Sequence, residues 1–285
     1  MKISLIKPSS TNIDPWINEF ERQGVEVLDG IATPDCDFII GASHSQTSRI
    51  KAVHEMYPDI PMINYNWDMY EWIWKEPRGY DWPGYGELLN KSVEVWCPSE
   101  EVILRAEEFF GCGDKHKVIK TFARFFDVDI NKVKDSRYIY NPIRDLPSDR
   151  NFGWLDRVAK KHNLPVYKSE HRLTEQEFQQ KIIECSFMVC ELYEASTGGL
   201  TLLEGYHYGK PCVVCDSKYM GAKDYFGDKA YYYKHDSFED FERVILEMWN
   251  NTPKLDIQKC RELTNKYTLD KMVREMVERL EVLNG

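Results

Sequence analysis

The stretch YEASTGGLTLLEGYHYGKPCVV, residues 193–214, sets a glycine pair before an apolar run. One glutamate stands inside that run, and Gly-Lys-Pro leads into a short β-branched segment. Gly198-Gly199 directly precedes residues that read as a helix up to Tyr208. The first N–H groups of a helix have no partner within it and carry partial positive charge. Glycine lets a ligand come close to that backbone. The pair therefore suits a phosphate or diphosphate. Glu204 falls in the second turn, where a carboxylate can accept both hydroxyls of a ribose, as acids do in other nucleotide sites. Local physics leaves a second reading equally open. The turn would then be an ordinary glycine-broken link from strand to helix, with Glu204 on the solvent face.

Outward from this turn, strands and helices alternate. LTEQEFQQKIIECS reads as a helix, FMVCELY as a strand, PCVVCD as a strand and DSFEDFERVILEMWNN as an amphipathic helix. Upstream, RYIYNP and LPVYKSE read as strands around the helix NFGWLDRVAKKHN. The first half shows the same rhythm. KISLIK is a strand, Asp14-Pro15 opens a helix that Gly24 ends, and VEVLDG, DFIIGAS, IPMINYN, SVEVWCPS and HKVIKTFARF are further strands. Such alternation predicts parallel α/β sheets. Residues 67–87, crowded with aromatics, Pro and Gly, read as an irregular lid or loop. FDVDINKVKDS reads as a polar connection between two α/β halves. The expected division is 1–130, 131–262, and a tail helix over 263–285.

With 42% hydrophobic residues in 285, the chain can bury a real core. No run of 18 apolar residues exists, and MKISLIKPSS turns polar too soon for a secretion signal. Eight scattered cysteines with one isolated CxxC, Cys212 to Cys215, read as structural thiols of a reduced, cytoplasmic protein. A net charge of −10 argues against a broad surface that tracks nucleic-acid phosphates, though not against a local basic cleft.

The 193–214 stretch resembles the C-terminal half of retaining GT-B glycosyltransferases of the family-4 type. Their pattern runs Glu-Gly-Phe-Gly-Leu, three residues, Glu-Ala, and then Gly-x-Pro-Val-Val. Here Glu204 takes the place of the second glutamate, Gly199 that of the glycine before the helix, and Gly209-Lys210-Pro211 that of the Gly-x-Pro turn. EFQQKIIECSFMVCELYEAS and DSFEDFERVILEMW are similar to the family's flanking segments. One position departs. The family's first glutamate lies eight residues before the second, where this chain has Ser196, and Glu194 is the nearest carboxylate.

The resemblance implies an α/β GT-B fold: two Rossmann-like domains facing a cleft, with the C-terminal helix returning to the N-terminal domain. It implies transfer of a hexosyl or pentosyl group, with retention, from a nucleotide-diphosphate sugar to an acceptor hydroxyl. A UDP-sugar is favoured and a GDP-sugar is the second choice. Arg144 and Arg150 would hold the diphosphate, since guanidinium forks suit phosphate oxygens. Ser196, Thr197, Gly198, Gly199, Leu200 and Thr201 would line the donor, and Glu204 would hold its nucleoside. Asp68, His44 and Glu194 are the catalytic candidates, and Ser10, Trp67, Tyr70 and Trp72 the acceptor-binding ones. Each has a structural alternative: surface arginines for the diphosphate pair, a helix cap for Asp68, packing beneath a lid for the aromatics.

No cofactor and no metal ion are expected. The one Asp-x-Asp, in FDVDIN, lies in the connection between the halves. The acceptor class stays open among a glycan, a small molecule and a hydroxymethylated base of phage DNA; a viral origin would suit the composition, and a monomer or homodimer the size. Other readings of the fold are a nucleotide-sugar epimerase, a phosphorylase, for which no lysine-bound cofactor site stands out, and a non-catalytic nucleotide-binding subunit.

Overall fold

The computed structural model describes residues 1–8, 14–66, 81–125, 129, 133–142, 153–168, 173–191, 195–196, 199–217, 219–220 and 222–285, with 195, 196, 219 and 220 described by their backbone alone. These residues form two compact units. One lies between Met1 and Phe122 and takes in Tyr267–Gly285; the other lies between Ala123 and Lys266.

The first unit holds six strands: β1 Lys2–Ile6, β2 Glu26–Asp29, β3 Phe38–Gly41, β4 Met62–Tyr65, β5 Glu94–Cys97 and β6 His116–Val118. All pairs are parallel, in the order β2-β1-β3-β4-β5-β6. Every residue of β3, β4 and β5 is buried, as expected when helices cover both faces of a parallel sheet. One face packs Ile3, Leu5 and Trp96 against Trp16 and Phe20 of the Asp14–Arg22 helix. Met272, Val273, Met276 and Leu280 of the C-terminal Leu269–Asn284 helix complete that layer.

The second unit holds β7 Ile139–Asn141, β8 Val166–Lys168, β9 Phe187–Cys190, β11 Cys212–Asp216 and β13 Tyr231–Lys234. They too are all parallel, in the order β13-β11-β9-β7-β8. A two-residue pair, β10 Ala195–Ser196 with β12 Tyr219–Met220, stands apart. The expected α/β class with two parallel sheets is what the chain adopts.

Two local expectations need correction. Residues 82–87 are not loop: a helix runs Trp82–Lys91, because the Asp81 side chain accepts the Gly84 N–H at 2.9 Å and Pro83 sits in the first turn, where it lacks no needed donor. The tail is two helices, Ile257–Thr264 and Leu269–Asn284, separated at Asn265–Thr268.

The Leu200–His207 helix lies against β9 at very close range. A Cβ built on Gly205 would stand 1.9 Å from Met188 Sδ, inside a fully buried layer. Helix propensity alone makes Gly205→Ala stabilising by about 1 kcal/mol. Overpacking costs about 1–3 kcal/mol. We expect overpacking to win, so the urea midpoint of Gly205→Ala falls; a rise would show that Met188 repacks freely.

Candidate functional site

In doubly wound sheets, ligands bind beyond the C-terminal ends of the strands where the winding reverses. The second unit reverses between β7 and β9, and the first between β1 and β3.

Two helices start at the β7/β9 reversal: Trp154–His162 after β7, and Leu200–His207 after β9. Gly153 precedes the first, at φ 63°, and supplies no side-chain cap. That role falls to Glu191, the residue after β9. The Leu155 N–H donates to its Oε1 at 2.6 Å. Glu191 is fully buried, and its Oε2 has no hydrogen-bond partner among the described residues. Burial pushes its carboxyl up to about 7, against which the Leu155 N–H works.

A raised carboxyl binds its proton more tightly folded than unfolded, so the stability it confers is full below about pH 4.5 and is lost as pH rises through 7. Glu191→Gln mimics the protonated form. Its stability gain over the parent should be near zero at pH 4 and reach about 3 kcal/mol by pH 8. Urea titrations at the two pH values check this; a gain independent of pH would mean that Glu191 is not the titrating group.

The second helix start has a different character. Gly199 precedes it at φ 78°, a conformation glycine adopts without strain, and no side chain among the described residues caps it. Gly199, Leu200 and Thr201 are half-buried, whereas Leu202 to His207 are buried. Of the two helix starts, one is therefore already served by an internal carboxylate. The other presents partly open backbone N–H groups with no internal anion on them among the described residues.

Glu204 is on neither the solvent face nor an open surface. It is 8% exposed, and the Arg124 N–H donates to its Oε1 at 3.0 Å. No other hydrogen bond to this carboxylate is present among the described residues. Burial raises its carboxyl to about 7, opposed by the Arg124 N–H and then by the Arg124 guanidinium. One turn on, the Phe125 ring stacks on His207, centroids 4.2 Å apart at 18°. His207 Nδ1 lies 2.7 Å from Thr264 Oγ1. The solvent-face alternative for Glu204 is thus overturned: the residue is buried, and residues 123–125 contact its helix at Glu204 and His207.

The Gly-Lys-Pro turn also has a structural job that the sequence does not announce. Lys210 is buried, and its Nζ donates to Lys134 O at 2.8 Å and Cys185 O at 2.7 Å. All eight cysteines are free and buried. Cys212 and Cys215 sit three apart on β11, so strand alternation points them to opposite faces.

In the first unit, Lys7 follows β1 and bridges Asp14 at 2.5 Å and Asp29 at 3.5 Å. His44 follows β3. Its ring stacks on Trp82 at 5.0 Å and meets the Tyr85 ring edge-on at 6.1 Å. Burial lowers its pKa to about 4, so it is neutral at pH 7 and a weak base. Asn66, buried beyond β4, accepts from the Tyr85 hydroxyl at 3.1 Å. Glu191, Arg124, Lys7 and Asn66 are residues that the sequence reading did not single out.

Ser10, Trp67, Asp68, Tyr70, Trp72, Arg144, Arg150, Glu194, Thr197 and Gly198 lie outside the described residues, and the side chain of Ser196 is likewise not described. Among the described residues no group of three or more His, Cys, Asp or Glu is placed to hold a metal ion, and no helix is long and apolar enough to cross a membrane.

No family profile matches the chain, and no curated protein does. Solved structures do. HepE of Anabaena in complex with UDP-glucose is 13% identical with a TM-score of 0.69, covering 99% of this chain and 100% of that one. The lipopolysaccharide outer core galactosyltransferase WaaB is 12% identical with a TM-score of 0.71, covering 99% and 100%. An α-glucosyltransferase in complex with UDP and a 13-mer DNA containing a HMU base is 12% identical with a TM-score of 0.61, covering 98% and 99%. These neighbours share the GT-B fold of two Rossmann-like domains, and that is the fold of this chain.

Proposed function

We propose that the protein is a glycosyltransferase that takes its sugar from a nucleoside diphosphate sugar, with a UDP-sugar favoured. The observation that carries this reading is the second helix start at the β7/β9 reversal. It is glycine-led, partly open and, among the described residues, uncapped, and the acid at its fifth residue holds one oxygen on a backbone N–H. The complexes of HepE with UDP-glucose and of the α-glucosyltransferase with UDP support it.

In this reading the diphosphate meets the N–H groups of Leu200 and Thr201, and Arg144 and Arg150 add charge there. Negative charge grows on the departing phosphate oxygen as the bond to the sugar breaks, and fixed positive groups lower that barrier. Ser196, Thr197, Gly198 and Gly199 line the donor. Glu204 holds the ribose. Asp68 and Glu194 remain the proposed catalytic carboxylates, and Ser10, Trp67, Tyr70 and Trp72 the proposed acceptor contacts. We assign His44 to the acceptor wall rather than to proton transfer, because its imidazole is a weak base stacked on Trp82.

Residues 1–122 with 267–285 carry 15 Lys and Arg against 24 Asp and Glu, a net −9; residues 123–266 carry 22 against 23, a net −1. Most of the excess acid thus lies in the unit to which the acceptor is assigned. Such a field repels a polyanion. A glycan or small-molecule hydroxyl therefore fits better than DNA. Retention follows the resemblance, and transfer without a metal ion the lack of an Asp-x-Asp at a strand end.

A ligand-stabilisation screen of nucleoside diphosphates and their sugars, followed by release of nucleoside diphosphate with oligosaccharide and hydroxymethylated DNA acceptors, tests the reading. Stabilisation by a UDP-sugar with acceptor-dependent release is the expected result. No stabilisation by any nucleotide at millimolar concentration would overturn it. Because Ser196 stands where the family has glutamate, binding without release would favour a non-catalytic nucleotide-binding subunit, and sugar conversion without acceptor an epimerase.

A further inference from the structure

We propose that the backbone N–H of Arg124 is a positioning group of the donor site: it fixes one oxygen of Glu204 so that the other is presented to the nucleotide's ribose. The inference rests on the reading of Glu204 as the ribose acceptor.

The geometry is specific. The segment 123–125 is fastened to the Leu200–His207 helix at two points one turn apart, by the Arg124 N–H on Glu204 Oε1 and by the Phe125 ring on His207. His207 is itself held by Thr264 of the following helix. Ala123, at the start of the segment, is buried as well. A glutamate side chain with no such tie samples several rotamers, and a ribose needs its carboxylate in one. A backbone donor held by its neighbours fixes that rotamer before the ligand arrives, as outer groups orient metal ligands.

The same N–H favours the charged form of Glu204 against the burial that raises its carboxyl. The titratable groups that face it are few. Arg124 brings its guanidinium and Tyr140 of β7 a phenol that burial keeps protonated; His207, one turn along the same helix, has a ring whose pKa burial lowers to about 4. Among the described residues, only the Arg124 guanidinium brings positive charge to Glu204. Two ribose hydroxyls donate to a carboxylate far better than to a carboxylic acid, so ligand affinity must rise with pH as Glu204 ionises. Removing the N–H makes ionisation harder and moves that rise to higher pH.

Two substitutions at one position separate the backbone from the side chain. Arg124→Ala keeps the N–H, and Arg124→Pro removes it. The probe is UDP-glucose or GDP-mannose, whichever stabilises the parent protein more; neither ligand titrates near pH 7. From pH 5.5 to 8.5 the parent is expected to bind more tightly, with a midpoint near 7. Arg124→Ala should stay within about threefold at pH 8. Arg124→Pro should lose at least tenfold at pH 7, with its midpoint about one unit higher, a change that mere loss of structure does not produce. Glu204→Gln should bind weakly and without pH dependence.

A second measurement needs no variant: hydrogen exchange of the Arg124 amide should slow, or stay slow, when the nucleotide binds. Faster exchange on binding would mean that the ribose displaces the N–H, and would overturn the proposal. So would an unshifted midpoint in Arg124→Pro. Failure of both nucleotides to bind the parent would instead sink the ribose assignment itself.

Discussion

Glu204→Ala is expected to bind a UDP-sugar roughly 10²–10⁴-fold more weakly than the parent protein. Each hydroxyl donated to a charged acceptor is worth about 1.5–3 kcal/mol, and the ribose offers two. The sign of the stability change should run the other way for the isosteric variant. Glu204 is buried with its carboxyl raised to about 7, so at pH 8 the folded state carries a desolvated charge that the unfolded chain does not. Glu204→Gln removes that charge and keeps an oxygen for the Arg124 N–H. Its stability at pH 8 should rise by about 3 kcal/mol, and the gain should vanish near pH 4. Weaker binding with firmer folding is the pattern of a residue kept for function at a cost in stability. Isothermal calorimetry and urea unfolding measure the two halves. Full affinity in Glu204→Gln would remove Glu204 from the donor site.

The second large effect lies in the first unit, under the C-terminal helix. Arg279 sends its Nε–H to both oxygens of Glu94 at 2.9 Å, and Nη2 donates to Oε1. Glu94 is 3% exposed and also accepts the Trp96 indole N–H at 3.0 Å. Burial works against the Glu94 charge, but Arg279 and Trp96 together hold its carboxyl below the usual range.

Arg279→Ala leaves a buried carboxylate with one indole donor. Breaking a buried pair in this way costs about 3–5 kcal/mol. Arg279 is itself about a third exposed, so the lower figure, about 3 kcal/mol, is the expectation. The pair's stability is present above pH 4.5 and is lost as pH falls through the lowered folded value. The deficit of Arg279→Ala should therefore shrink in acid. The double variant Glu94→Gln/Arg279→Met should recover most of it. A loss under about 0.5 kcal/mol at pH 7 would show that solvent already screens the pair.

The strands and helices were legible because this fold writes them locally. Buried parallel strands are short apolar runs, and the glycine at 199 marks its own helix. The misreadings had local causes as well. WPGYGELLNK looks like loop because Pro and Gly dominate it, yet Pro in a first turn behind an Asp cap is a helix start. YYYK went unread as a strand because it has neither alternation nor a β-branched residue.

The site was legible only in part. Glu204 and Gly199 stand out within a dozen residues of one another, so their pattern can be read. Glu191 cannot be read as a cap, since the N–H it serves lies 36 residues upstream. Arg124 is 80 residues from Glu204 and meets it through a backbone atom that every residue but proline possesses. Lys210 looks like a surface lysine in a turn, and only the tertiary fold shows its ammonium on two carbonyls. Contacts made by main-chain atoms across long separations leave no mark in residue type.

The eight concealed thiols have a practical consequence. Each is at most 7% exposed, and burial pushes Cys112 up to about 11 and Cys185 up to about 12, where little thiolate forms. Native protein should be almost inert to an alkylating reagent at pH 7.5. Modification then becomes a clock for transient opening. Cys36, Cys97 and Cys112 time the unit that includes the C-terminal helix, and Cys185, Cys190, Cys212, Cys215 and Cys260 time the other. Peptide masses would read the two clocks separately, and a nucleotide that slows only the second would map its own landing place without a single mutation.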